Sequence, residues 1–257
     1  CEQYRYRAAT GLVGTSPTGD LLSDLLAAAV DGATIFNPNM PPPNQLAEER
    51  AAQPDLIDAA SSLIAQPETA WWSAGLVGPQ FVVQASRTQD PAPMRPIRTG
   101  RDALDAWREG ELKQNRVFRD MPVDSTMLTG DWWSAPLQAA STAPAHPDRG
   151  PLGLWLAEEG TMDRSAWVVA ARPTSAVRVY EIDGTAAWAR LVTRYPLDVT
   201  DGKGPDWNRY TGVSARWLVP DWVAVSDDYD AVHLTIWGWL CTAGCAPLRC
   251  LLPPATA

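Results

Sequence analysis

The chain has 257 residues, 46% of them hydrophobic and 20% charged, which is enough apolar material for a substantial core. Its formal charge of −9 argues against a general nucleic-acid binder, since phosphate contacts need clustered Lys and Arg. No apolar run approaches the roughly 18 residues of a bilayer-spanning helix, so no membrane span is expected.

In chain order, residues 20–33 carry Leu21, Leu22, Leu25, Leu26 and Val30 at helical spacing and predict the first helix, with Gly32 near its end. Four prolines within residues 37–44 stop it. Further helices are expected over 45–52 and over 55–66, where Leu56, Ile57, Ala60, Leu63 and Ile64 form a stripe. A short strand is expected at 81–84. A charged amphipathic helix is expected at 100–118, presenting Leu104, Trp107, Leu112 and Val117.

Near Met127 the hydrophobic period changes from 3.6 to 2. Strands are predicted at 152–157, 166–171, 177–182, 217–219 and 231–237, with a helix at 185–195 and an irregular polar link after Thr200. Because regular helices do not separate these strands, a parallel α/β sheet is not expected. The expected class is α+β, a helical N-terminal region followed by a mainly antiparallel or mixed β-sheet. The division falls into 1–125, helical and loop-rich, and 126–257, a β-rich core, with any hinge between Arg119 and Thr129. One continuous domain is the alternative.

Thirteen tryptophans occur, ten of them between Trp132 and Trp239, and the plainest use for them is an aromatic-rich core. One phrase, W-W-S-A-x-L, occurs at Trp71 and again at Trp132, without matching flanks. Cys241, Cys245 and Cys250 lack the paired C-x2-C of a usual zinc site, so free thiols are expected and no metal. A cytoplasmic location is the default expectation, and a lipid-anchored export product beginning at Cys1 is the alternative.

Three groups of residues carry candidate chemistry. Asp230 and His233 form the one Asp-x-x-His of the chain, and a carboxylate beside an imidazole can orient it as a general base. On a strand, His233 would share a face with Ala231, Thr235 and Trp237. Asp227 could join Asp230 and His233 around a metal, although such residue types are common. Arg209 and Tyr210, in the phrase DWNRYTG, could offer a cation and an aromatic ring to an anionic substrate. No P-loop, no G-x-G-x-x-G and no H-E-x-x-H is present. His146, in the Pro-flanked phrase APAHPD, is expected to have little structural consequence.

The phrase DAVHLTIWG resembles the closing block of the GDSL/SGNH hydrolases, which implies Asp230 orienting His233 as base for a serine nucleophile, with Gly238 as the following glycine. No Gly-Asp-Ser occurs elsewhere in the chain. The phrases VYEIDGTAAWARLVTRYPLDVT and PDWVAVSDDYDAVHLT resemble a protein family of GC-rich bacteria that brings no activity with it. The layout from Thr126 to Trp239 resembles ADP-ribosyltransferases. That resemblance implies NAD held near Trp132, Trp133 and Ser134, the Ser141-Thr142 pair beside it, and Glu159 of the adjacent Glu158-Glu159 as the catalytic carboxylate. It is a likeness of layout, and function on such a layout is decided by the site. A non-catalytic protein-interaction module, showing an exposed aromatic patch, is the alternative.

Overall fold

A computed structural model describes residues 3–7, 21–31, 65–76, 78–86, 93–96, 100–121, 134–136, 139–157, 165–171, 177–211 and 213–242. The helix expected at 45–52, and all but the end of the one at 55–66, lie outside the described residues. The described residues group into two compact units. One draws on Cys1–Asn37, Ser61–Ile97 and Ala140–Ala176, the other on Pro38–Ala60, Arg98–Ala139 and Val177–Ala257. The units therefore alternate along the chain, whereas the sequence places one divide near residue 125.

The first unit is built on five strands: β1 (Gln3–Arg7), β2 (Gln80–Ser86), β3 (Ala143–His146), β4 (Gly150–Pro151) and β5 (Ser165–Ala171). Their spatial order is β1-β5-β2-β3-β4, and every neighbouring pair is antiparallel. Val82, Ala166 and Val168 are buried, so the β2–β5 pair forms the centre of this sheet. Helix α1 (Leu21–Asp31) buries Leu26 and Val30 but leaves Leu25 exposed, which narrows the predicted stripe.

Residues 152–157 do not form the strand expected of them. Leu152–Leu154 is a 3-10 turn, with the N–H groups of Trp155 and Leu156 both donating to the Leu152 carbonyl. A Cβ at Gly153 would meet Val83 Cγ2 at 3.0 Å, so the turn presses its backbone onto β2 instead of pairing beside it.

In the second unit, α2 (Arg101–Arg119) follows Gly100, whose φ of +83° is left-handed backbone that glycine adopts without strain. Its buried positions are Ala103, Trp107, Glu111 and Asn115, one residue every four along a single face. Val117, predicted inward, is exposed. There follow β6 (Val179–Ile182), α3 (Thr185–Arg194), β7 (Pro196–Asp198), α4 (Thr200–Thr211), β8 (Leu218–Pro220), α5 (Trp222–Asp228), β9 (Ala231–Leu234) and α6 (Ile236–Thr242). β7 pairs antiparallel with β8, and β6 pairs parallel with β9. The core joins Trp107, Ile182, Leu191, Leu197, Val199, Trp217, Val219, Trp222 and Val225. Trp107, Trp217 and Trp222 thus belong to this core, which is the use that the plain reading of the tryptophans expects.

The protein is α+β, with antiparallel pairing predominant. Helices are not confined to the N-terminal part: α3, α4, α5 and α6 alternate with the C-terminal strands. Three local departures have physical causes. The polar link after Thr200 is helix α4, despite Gly202, Gly204 and an internal Pro205, because α2 supports it. The Asn115 side chain accepts from the Gly202 N–H and donates to the Asp198 carbonyl, and a Cβ on Gly202 would meet Asn115 N at 3.3 Å. The stretch VAVSDD is helix α5, capped by Asp221, which accepts from the N–H groups of Val223 and Ala224. The strand predicted over 231–237 stops at Leu234. There Thr235 Oγ1 accepts from the Gly238 N–H while its hydroxyl donates to the Ile182 carbonyl, turning the chain into α6.

Candidate functional site

The parallel register of β6 and β9 sets Glu181 opposite His233. Tyr180, Ile182 and Val232 pack with the core, so alternation along the strands carries Glu181 and His233 to the other face. Glu181 Oε2 lies 2.5 Å from His233 Nδ1, with the histidine side chain 17% exposed and the glutamate 38%. A carboxylate on Nδ1 favours the tautomer that keeps its proton there and leaves the lone pair on Nε2. Among the described residues Nε2 has no hydrogen-bond partner, and no serine hydroxyl bonds to the ring. The pair can accept a proton from an attacking hydroxyl and stabilise the imidazolium that results.

Asp230 does not orient His233. Its carboxylate is occupied by Arg178, whose backbone N–H and Nε donate to Oδ2 at 2.9 and 3.1 Å and whose Nη2 donates to Oδ1 at 3.0 Å. The cause is the parallel register: Val179 faces Ala231, so the residues just before them meet as well. The Arg178 guanidinium and backbone hold the Asp230 carboxyl down at about 2. The neighbouring acids are likewise taken singly. Asp227 accepts from Arg101, and Asp228 from Arg194 and the Tyr195 hydroxyl. The Tyr195 hydrogen bond, joined by Arg194, keeps the Asp228 carboxyl below its usual range. Among the described residues no three His, Cys, Asp or Glu side chains gather as metal ligands, so Asp227, Asp230 and His233 form no such cluster.

The other sequence candidates are scattered. Trp132, Trp133, Glu158 and Glu159 lie outside the described residues. Ser134 offers its carbonyl to Trp222 Nε1 at 2.8 Å in the second unit, whereas Ser141 and Thr142 belong to the first, where the Thr142 hydroxyl donates to Gln80. Arg209 is exposed, and both it and Tyr210 belong to helix α4, not to a loop. His146 is not free-standing either. It ends β3 with its ring centroid 5.3 Å from that of Trp71 and 6.0 Å from that of Trp155, and Nδ1 accepts from the Asp148 N–H. Among the described residues the exposed large hydrophobic side chains are Leu25, Val117 and Leu234, none of them aromatic.

Two features escape a sequence reading. Glu181 becomes the histidine's partner only through strand pairing across 52 residues. In the second unit, Lys203 and Asp206 of α4 and Glu111 and Asn115 of α2 are all buried, with Lys203 Nζ 3.2 Å from Glu111 Oε2. Helical spacing could have paired Lys203 with Asp206 but could not have supplied Glu111.

Family models, curated proteins and solved structures yield no match to this chain.

Proposed function

We propose that the protein is an enzyme of general acid–base type, resembling ADP-ribosyltransferases, in which His233 is the base and Glu181 orients it. The observation that carries the reading is the Glu181–His233 contact on adjacent parallel strands, with the histidine's second nitrogen turned away from it. In this reading NAD is the substrate. His233 Nε2 takes the proton of the attacking water or acceptor hydroxyl as nicotinamide leaves, and Glu181 stabilises the charged ring. Support for NAD itself comes from the layout resemblance, with Trp132, Trp133 and Ser134 as the binding residues.

Calorimetric titration with NAD, together with an assay of nicotinamide release, tests both halves. Wild-type protein is expected to bind and to release nicotinamide. His233→Ala should reduce turnover by about 10²–10⁴-fold, the usual contribution of a positioned base, while leaving binding intact. Glu181→Gln should fall between the two. No heat and no nicotinamide at millimolar NAD removes the substrate assignment. Full turnover in the His233→Ala variant removes the base.

A further inference from the structure

The buried charged cluster of the second unit lies apart from the Glu181–His233 pair. Lys203 and Asp206 have no exposed surface, and Glu111 and Asn115 are 8% and 6% exposed. Lys203 Nζ and Glu111 Oε2 are 3.2 Å apart, one from α4 and the other from α2. The two helices are held in register beside them by Asn115, which bonds to the Gly202 N–H and the Asp198 carbonyl, and by the close approach of Gly202 to the Asn115 backbone. An amine and a carboxyl are therefore fixed in contact by groups that are not themselves reacting. Asp206 is one helical turn beyond Lys203, on the same side of α4.

We propose that Lys203 and Glu111 condense to an intramolecular amide, cross-linking α2 to α4, with Asp206 as the proton shuttle. In the first step Asp206 takes one proton from the Lys203 ammonium and passes it to the Glu111 carboxylate, giving a neutral amine and a carboxylic acid. The Nζ lone pair then attacks Glu111 Cδ, forming the C–N bond as the carbonyl electron pair moves onto oxygen. Asp206 removes a second proton from the nitrogen and delivers it to the hydroxyl of the intermediate. That hydroxyl departs as water with the electrons of the C–O bond, and the carbonyl re-forms. Three ammonium hydrogens become one amide hydrogen and two in water, so nothing is oxidised and Asp206 ends as it began.

Two physical effects favour the amide. Effective molarities of well-oriented intramolecular reactants reach about 10⁵–10⁸ M, far above the concentration of free partners. Condensation also replaces two buried charges, each costly to keep from water, with one neutral amide. Burial further excludes the bulk water that would reverse the reaction.

The test is mass spectrometry of the full chain after denaturation, reduction and alkylation, followed by tryptic mapping. The expected result is a mass 18 Da below that of the sequence, no cleavage after Lys203, and a branched peptide joining the segments that contain Lys203 and Glu111. Lys203→Arg should restore the full mass, and Asp206→Asn should leave much of the chain uncondensed. If either variant fails to fold, the wild-type map still decides. An unshifted wild-type mass with the two peptides recovered separately overturns the proposal. A loss of 17 Da, with Lys203 joined to Asn115, overturns the choice of Glu111.

Discussion

Arg178 and Asp230 are joined by three hydrogen bonds, two from the guanidinium and one from the backbone N–H, at the point where β6 and β9 begin. The carboxyl is held at about 2, below the usual value near 3.9 for an unfolded chain. A depressed folded-state value means that the pair contributes stability above about pH 4, and that this contribution is lost as pH falls toward 2. Asp230→Asn should therefore flatten the fall in stability between those limits. The measurement is the urea midpoint of wild type and variant at intervals from pH 6 to pH 2. Parallel curves would show that another group carries the acid sensitivity.

Tyr195 gives the opposite sign at high pH. Burial and the hydrogen bond to Asp228 push its hydroxyl up to about 12, against a usual value near 10. The folded state keeps the proton longer, so this contribution is complete below about pH 10 and falls as pH rises through 12. Spectrophotometric titration of wild type against Tyr195→Phe should show the missing phenol ionising last. At neutral pH the same substitution should cost about 1 kcal/mol, the ordinary net worth of a hydrogen bond.

Gly238 has no room for a methyl group. A Cβ there would be 2.2 Å from the Ile182 carbonyl oxygen and 3.0 Å from Thr235 Oγ1. Gly238→Ala should destabilise by about 1–3 kcal/mol or more, because the end of β6 must shift. Gly202→Ala should cost less, since its nearest contact, Asn115 N, is at 3.3 Å. Equal midpoints in urea for Gly238→Ala and wild type would mean that α6 leaves β9 by a different path.

Asp221 closes the first turn of α5 and also receives Arg108 Nη2 at 3.0 Å. Replacing it with Ala should lower stability by about 1–2 kcal/mol, at the upper end for a cap because the ion pair goes with it. Asp221→Asn should recover most of the capping contribution and not the charge. Thermal unfolding of both variants separates the two roles. If Asn is as damaging as Ala, Arg108 is the more important partner.

Elements supported by their own residues were legible in the sequence. The α2 and α3 helices have regular amphipathic spacing, and β5 and β6 have apolar runs of strand length, so each is found within a few residues of its predicted place. Elements supported by neighbours were not. The residues DGKGPD of α4 have poor helix propensity, and what keeps them helical is contact with Asn115 on a distant helix. The site shows the same contrast. Asp230 is three residues from His233 and looked like its partner, but pairing of the strands sends Asp230 to Arg178 and brings Glu181 to the ring. No local spacing contains the register of a parallel pair whose members are about fifty residues apart.

The position of β5 between β1 and β2 has a consequence for how the chain is made. Both outer partners precede it in the sequence, β1 by more than about 150 residues, yet each bonds along β5. On the ribosome, at about 5–20 residues per second, β1 emerges roughly ten seconds or more before the strand it needs. Until Ala171 clears the exit tunnel, Gln3–Arg7 and Gln80–Ser86 present backbone edges with no β5 to meet them. The first unit is therefore assembled late, and its earliest strands are the segments most open to chaperones or to pairing with another nascent chain.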